Sequence, residues 1–441
     1  MLMTRLLERV VQTGDLTMID AQGRAHRFGD GRAPAMTVRV DDPLFPWKLL
    51  LWPDLALGEA YMDGKLVIED ASLYDFLDLL GRNIETSGIE SFQRYLNFFH
   101  FLFRHFPLNT RERARKNAAH HYDLTLELYK LFLDSDYQYS CAYFATQSDS
   151  LDSAQRQKRR HIAAKLLLEP GMRVLDIGCG WGGLCLYFAD RFDVRAVGIT
   201  LSEEQLKVSR TRASAAGLEE RARFFLRDYR DEVGIYDRIV SIGMFEHVGV
   251  GQYERFFRAL RELLAENGIA LLHTICHWDV PSPPSQWARK YIFPGGYVPA
   301  LSEVVPAIER AGLVITDIEV LRLHYASTLR CWRERFLANR EKAKALYDER
   351  FCRMWEFYLA GSEISFRYRK QCILQIQLSK RQDAVPLTRD YMFEAERASA
   401  AEGVPQCGDL HRQECHNPQG CRPCRAVRGA KQTEVAVDPR I

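Results

Sequence analysis

The chain has 441 residues, 47% of them hydrophobic, with 60 basic side chains against 58 acidic ones. That length exceeds what one hydrophobic core usually serves, so a main domain with smaller appendages is expected. The near-neutral balance gives no general argument for nucleic acid, no window approaches the roughly 18 consecutive apolar residues of a membrane span, and the N-terminus lacks the basic, apolar and small-residue order of a secretory signal. A cytoplasmic protein is expected, and the seven cysteines scattered from Cys141 to Cys372 read as reduced thiols rather than a disulfide framework.

Residues 1–90 carry short apolar runs with turn signals. The alternation from Met36 to Val40, the Asp63-Gly64 turn and the helical "SLYDFLDLL" predict a small accessory α+β domain without a catalytic constellation. Residues 91–121 connect it onward. Between Phe92 and Tyr122 aromatic residues and arginines interleave, which suits either a packed connecting helix or a segment lying in a lipid headgroup layer.

From residue 122 to 381 a second domain is expected. Its periodicity alternates strands and helices: "RVLDI", "VRAVGITL", "ARFFLRD", "YDRIVSIG" and "GIALLHTI" read as five strands, with a sixth around Leu313 to Val320 and a last one near Cys372 to Ser379. This is an α/β pattern, a doubly wound parallel sheet of Rossmann-like type. The best-signed helix starts at Ser202, with Gln205 placed to complete a capping box, and ends near Gly217. Residues 382–441 read as a disordered tail.

The stretch "VLDIGCGWGGL" sets the ligand question, because Gly178, Gly180 and Gly183 satisfy G-x-G-x-x-G after a strand and before a helix. A dinucleotide would require an acid at the tip of the next strand, but that strand ends in Thr200-Leu201-Ser202. Asp176 instead precedes the loop, where it would crowd a pyrophosphate. The ligand inferred is S-adenosylmethionine, with Asp228 and Tyr229 suited to its adenine.

Seven segments in register, "YSCAYF", "VLDIGCGWGGL", "GITLSEEQ", "DRIVSIGMFEHVG", "LLHTI", "KYIFPGGYVP" and "HYASTLRCWRERF", resemble the cyclopropane-fatty-acyl-phospholipid synthases, relatives of the mycolic acid cyclopropane synthases. The resemblance implies an S-adenosylmethionine-dependent methyltransferase fold. It implies cofactor contacts from Tyr139, Ser140, Gly178, Cys179, Gly180, Thr200, Leu201, Ser202, Gln205, Asp228 and Tyr229. It also implies a bound bicarbonate as base, held by Cys141, Glu246, His273, Ile275 and Tyr325. In that scheme amides near Cys141 and Ile275 donate to the oxyanion, His273 and Tyr325 donate or relay a proton, and Glu246 accepts the bicarbonate hydroxyl. Tyr143, Phe144, Tyr291, Phe293 and Tyr297 are candidate rings to face a carbocation, although ordinary packing explains any one of them.

The reading that follows is methylene transfer to the cis double bond of unsaturated phospholipid acyl chains. It brings peripheral contact with the inner face of the cell membrane and, by resemblance, a homodimer. Methyl or methylene branching of the acyl chain, a small-molecule methyltransferase and a non-catalytic lipid-binding relative are the alternatives. In the tail, Cys407, His411, Cys415, His416, Cys421 and Cys424 have zinc-like spacing, but "CRPC" holds an internal proline and lacks apolar support, so no metal is expected.

Overall fold

Alternation from Met36 to Val40 buries Met36, Val38 and Val40 on one face of a strand in the computed structural model, which describes residues 7–32, 35–86 and 124–401. The strands β1 (Asp15–Ile19), β2 (Ala25–Phe28), β3 (Ala35–Val40) and β4 (Leu66–Ile68) form a sheet in the order β2-β1-β3-β4. Two short helices, α1 (Phe45–Leu51) and α2 (Pro53–Met62), each carry proline in the first turn, where no backbone donor is lost. Gly64, at φ +71°, turns α2 into β4, and α3 (Leu73–Thr86) completes an α+β unit.

This unit is docked through close contacts. Trp287, on α9 described below, presses its indole on Gly58 and reaches Met62 Sδ at 3.2 Å. Tyr291 Oη donates to Glu59 at 2.7 Å, and Tyr368 Oη donates to Asp78 at 2.8 Å.

The second sheet begins after α4 (Leu126–Lys130) and α5 (Leu151–Leu166). Its elements are β5 (Arg173–Ile177), α6 (Gly183–Phe192), β6 (Arg195–Thr200), α7 (Glu203–Ala215), β7 (Ala222–Leu226), β8 (Tyr236–Ile242), α8 (Tyr253–Leu263) and β9 (Leu264–His277). Then come α9 (Gln286–Tyr291), α10 (Leu301–Arg310), β10 (Val314–Val320), α11 (His324–Ala338), α12 (Arg340–Leu346), α13 (Glu349–Tyr368) and β11 (Gln371–Ser379). The order is β10-β11-β9-β8-β5-β6-β7. Each strand read from the sequence is present.

The sheet is not wholly parallel, because β11 runs antiparallel to both β9 and β10. Apolar pattern specifies which residues face inward but not strand direction; the helices α11 to α13 return the chain so that β11 enters between two existing strands. Central β5 buries Val174 to Ile177, as a strand covered on both faces must.

The segment read as tail contains a further helix, α14 (Asp390–Ala401), with Met392 buried and Tyr391 Oη accepting from Gln377 at 2.8 Å. Its apolar side is too small to mark it in a polar sequence. The elements through Glu396 form one compact unit; Arg397 onward belongs to a second, of which only the end of α14 is described. The aromatic-basic stretch and the Cys407 to Cys424 cluster lie outside the described residues. The seven cysteines from Cys141 to Cys372 are free, and no described helix is long and apolar enough to cross a membrane.

A Cβ at Gly58 would lie 2.3 Å from the Trp287 indole. Gly58→Val is therefore expected to cost about 1–3 kcal/mol and lower the melting temperature measured by calorimetry. An unchanged transition would mean that the indole does not hold the accessory unit.

Candidate active site

β5 ends at Ile177, and the glycine loop follows with Gly178 at φ +86° and Gly180 at φ +53°, both in the left-handed region. The amides of Gly178 and Cys179 both donate to Ile199 O on β6, each at 3.0 Å, and fix the loop across two strand ends. A Cβ at Gly178 would come within 2.9 Å of Met244, whereas one at Gly180 meets no protein atom within 4 Å. That open side of the loop faces a cavity. The residues expected around the cofactor, Tyr139, Ser140, Gly178, Cys179, Gly180, Thr200, Leu201, Ser202, Gln205, Asp228 and Tyr229, all line it.

Several details differ from the sequence reading. Ser202 Oγ accepts from Gln205 N at 3.2 Å, but the Gln205 side chain does not return the bond; its Oε1 accepts from Thr200 Oγ1 at 2.8 Å. Asp228 lines the cavity with its carboxylate clamped by Arg230, at 2.8 Å through Nε and 2.5 Å through Nη2. Arg230 was legible only as a neighbour of Asp228. Gln138, Trp181, Met244 and His247 also line the cavity without having been read as site residues.

Lys158 lies behind the Gln138 to Ser140 wall, fully buried, donating to Gln138 Oε1 at 2.6 Å and to Ser140 Oγ at 2.8 Å. Burial pulls its pKa down to about 8, against the attraction of Asp134. In the sequence it stands in "QRQKRRH", which reads as a solvated run, so nothing marked it. Burial likewise lowers His247 to about 4 and keeps it neutral.

None of the five catalytic candidates is among the residues that line this cavity, although Cys141 follows Ser140 and Glu246 lies between Met244 and His247 in the chain. Glu246, on the turn after β8, is buried and accepts from Ile275 N at 2.6 Å through Oε1. This corrects one expectation: the Ile275 amide is committed to Glu246 and does not donate into the site. The reason is geometric, since β8 pairs with β9 only as far as Ile242 opposite His273, and the next inward amide of β9 has no strand beside it. His273, two residues earlier on the same face of β9, is buried, with Nδ1 3.2 Å from Gln375 Nε2. Glu246 Oε2 and His273 Nε2 are both buried and have no hydrogen-bond partner among the described residues. Burial pushes the Glu246 carboxyl up; burial, with Lys158, Lys165 and His161 nearby, drives His273 far below the usual histidine range.

Cys141 and Tyr325 pack in the same apolar cluster as Ile275. Ala142 N donates to Thr328 Oγ1 at 3.0 Å, one helical turn from Tyr325 on α11, and this ties the Cys141 segment to that helix. Burial raises the Cys141 thiol, so it stays protonated. Of the candidate rings, Tyr143 is covered on its faces by His161 at 4.2 Å and His324 at 4.9 Å. Tyr291 and Tyr297 are held by Glu59 and Glu303, and Phe144 lies 6.4 Å from His324. Phe293 borders the cavity segment Pro294-Gly295, 6.2 Å from His247.

Residues 109–376 match the family described as mycolic acid cyclopropane synthetase. Over 351 residues, 80% of this chain and 89% of the relative, the chain is 40% identical to a cyclopropane-fatty-acyl-phospholipid synthase of Escherichia coli (strain K12). Over 380 residues, 82% of this chain and 87% of the relative, it is 36% identical to a tuberculostearic acid methyltransferase of Mycobacterium tuberculosis. A crystal structure of a mycolic acid cyclopropane synthase complexed with SAH and CTAB superposes with a TM-score of 0.57 at 34% identity, covering 60% of this chain and 97% of that one.

Burial raises the Asp176 carboxyl from 3.8 to about 7. The native state thus binds this proton more tightly than the unfolded chain, and the associated stability is lost as pH rises from about 4 to about 7. Melting curves of ligand-free protein should show Asp176→Asn gaining on the wild type between about pH 5 and about pH 8. A difference that does not change with pH would remove Asp176 as the titrating group.

Proposed function

The chain belongs to the mycolic acid cyclopropane synthetase family and has the S-adenosylmethionine-dependent methyltransferase fold, and on that premise we propose that it cyclopropanates the acyl chains of unsaturated phospholipids. The π pair of a cis double bond bonds to the methyl carbon as the C–S bond breaks, with the C–S pair leaving on sulfur. Loss of a proton from the new methyl group then frees its C–H pair to close the ring, and one proton is released per turnover.

A strong nucleophile beside the methyl group would be alkylated in place of the alkene, so the surrounding groups must be weak. Cys141 meets that condition, since burial keeps its thiol protonated. The observation that carries the reading is a pair of buried atoms with no partner among the described residues, Glu246 Oε2 on the turn after β8 and His273 Nε2 on β9 beside the end of β8. One acceptor and one imidazole nitrogen there suit a monoprotonated oxyanion, and a bound bicarbonate supplies a weak oxygen base that does not compete for the methyl group. Glu246 and His273, with Tyr325 and Cys141 at the border, are the residues that would hold it, while Ile275 serves by orienting Glu246.

A second reading is favoured by the 36% identity to a tuberculostearic acid methyltransferase. The same cation, deprotonated elsewhere, gives a methyl- or methylene-branched chain.

Such a substrate lies in a bilayer, and α1 supports contact with one. Leu44, Trp47, Leu51 and Trp52 are exposed by 59%, 61%, 62% and 48%, an apolar and indole-rich face suited to a lipid interface. We place the protein in the cytoplasm, against the inner face of the membrane.

Expression in a host without cyclopropane lipids should add one CH2 to unsaturated phospholipids with loss of olefinic protons; a mass gain with the olefin retained would select branching. Glu246→Ala should lower turnover on the order of 10²- to 10⁴-fold, and an unaltered lipid phenotype would favour a binding protein. In vesicle flotation, Trp47→Ser with Trp52→Ser should reduce recovery with lipid at an unchanged melting temperature. Full recovery accompanied by a changed oligomeric state would assign this face to a dimer.

A further inference from the structure

Helix α5 buries three cationic side chains, Lys158, His161 and Lys165, on one face. Such a stripe is costly unless each charge finds a partner. His161 Nε2 meets Glu319 Oε2 on β10 at 2.6 Å, His161 Nδ1 meets Glu396 on α14, and Lys165 Nζ also bonds Glu319. Burial opposes the charge on His161, but its two carboxylate hydrogen bonds outweigh that and raise its pKa. Burial also opposes ionisation of Glu319, yet His161 and Lys165 hold it down to about 2. Two cations and two carboxylates therefore balance within the fold.

Lys165 makes one more bond, to Gln375 Oε1 at 2.7 Å. Gln375 is the cross-strand partner of Glu319 on one side and of His273 on the other. An ammonium only donates, so the Gln375 oxygen must face Lys165 and its NH2 must face away. His273 Nδ1 lies there, 3.2 Å from Nε2 of the amide. An amide NH2 also only donates, so Nδ1 must accept, and a neutral imidazole that accepts at Nδ1 carries its proton at Nε2.

We propose that Gln375 and Lys165 are positioning residues for the reaction: anchored by Glu319 and His161, they fix the tautomer of His273 so that Nε2–H is presented to the site. The inference rests on the role given to His273 above. With the tautomer reversed, the Nε2 lone pair and the Glu246 carboxylate would both face the site as acceptors, and an oxyanion would find no proton from His273.

The test uses full-length protein with 15N-labelled histidine, the His273 signals being assigned by their loss in His273→Asn. The wild type should show a pyridine-like Nδ1 and a pyrrole-like Nε2. Gln375→Glu offers Nδ1 a carboxylate and should protonate it, while Lys165→Met, which frees the amide to turn, should give a mixture of tautomers. In assays, Gln375→Leu, which keeps an apolar side chain of similar size in place, should lower kcat on the order of 10- to 100-fold while KM for S-adenosylmethionine changes by less than about twofold. A wild-type Nδ1–H, an unchanged tautomer in Gln375→Glu, or full turnover in Gln375→Leu overturns the proposal. The tautomer is read without lipid, so a wild type that lacks synthase activity would sink the functional reading while leaving the tautomer assignment to stand or fall by itself.

Discussion

The hydrogen bond from the Ile275 amide to Glu246 Oε1, 2.6 Å long, closes the gap left where β8 stops and β9 continues. It anchors one carboxylate oxygen and leaves the other buried, with no partner among the described residues. The Glu246 carbonyl accepts from Tyr297 N at 3.0 Å, so the segment that brings Pro294 and Gly295 to the cofactor cavity is tied to the same residue. Gly243 N, bonded to His273 O at 2.9 Å, continues the ladder into the turn. One unmet amide thereby organises the acid, the histidine and part of the cavity wall.

Around that point the protein buries polar groups in numbers that only pairing makes tolerable. Lys158 supports the Gln138 to Ser140 wall, Arg230 clamps Asp228, and Lys165 with His161 is matched by Glu319 and Glu396. The last of these pairings puts α14, beyond the last strand, into the electrostatics of the site through Glu396.

The accessory sheet was legible as an α+β unit because alternation in β3 and the Asp63-Gly64 turn are local signals. Its attachment was not, since Gly58 and Trp287 are remote in sequence and nothing in either segment names the other. The cofactor cavity was legible for a different reason: the glycine loop and the acid-free end of β6 each constrain the ligand locally. Lys158, His161 and Lys165 escaped notice because a basic run on a helix ordinarily faces water, and Gln375 because one amide in an apolar strand has no reading without its neighbours.

The sequence by itself determined the strand succession of the larger sheet, the cofactor class and most of the residues that line the cavity, because glycine conformational freedom, apolar period and segment order act over short stretches of chain. Tertiary structure decided the antiparallel entry of β11, the commitment of the Ile275 amide to Glu246 and the line from Glu396 to His273. Those depend on which strand ends first and which side chains become neighbours across β10, β11 and β9, and no local pattern encodes either.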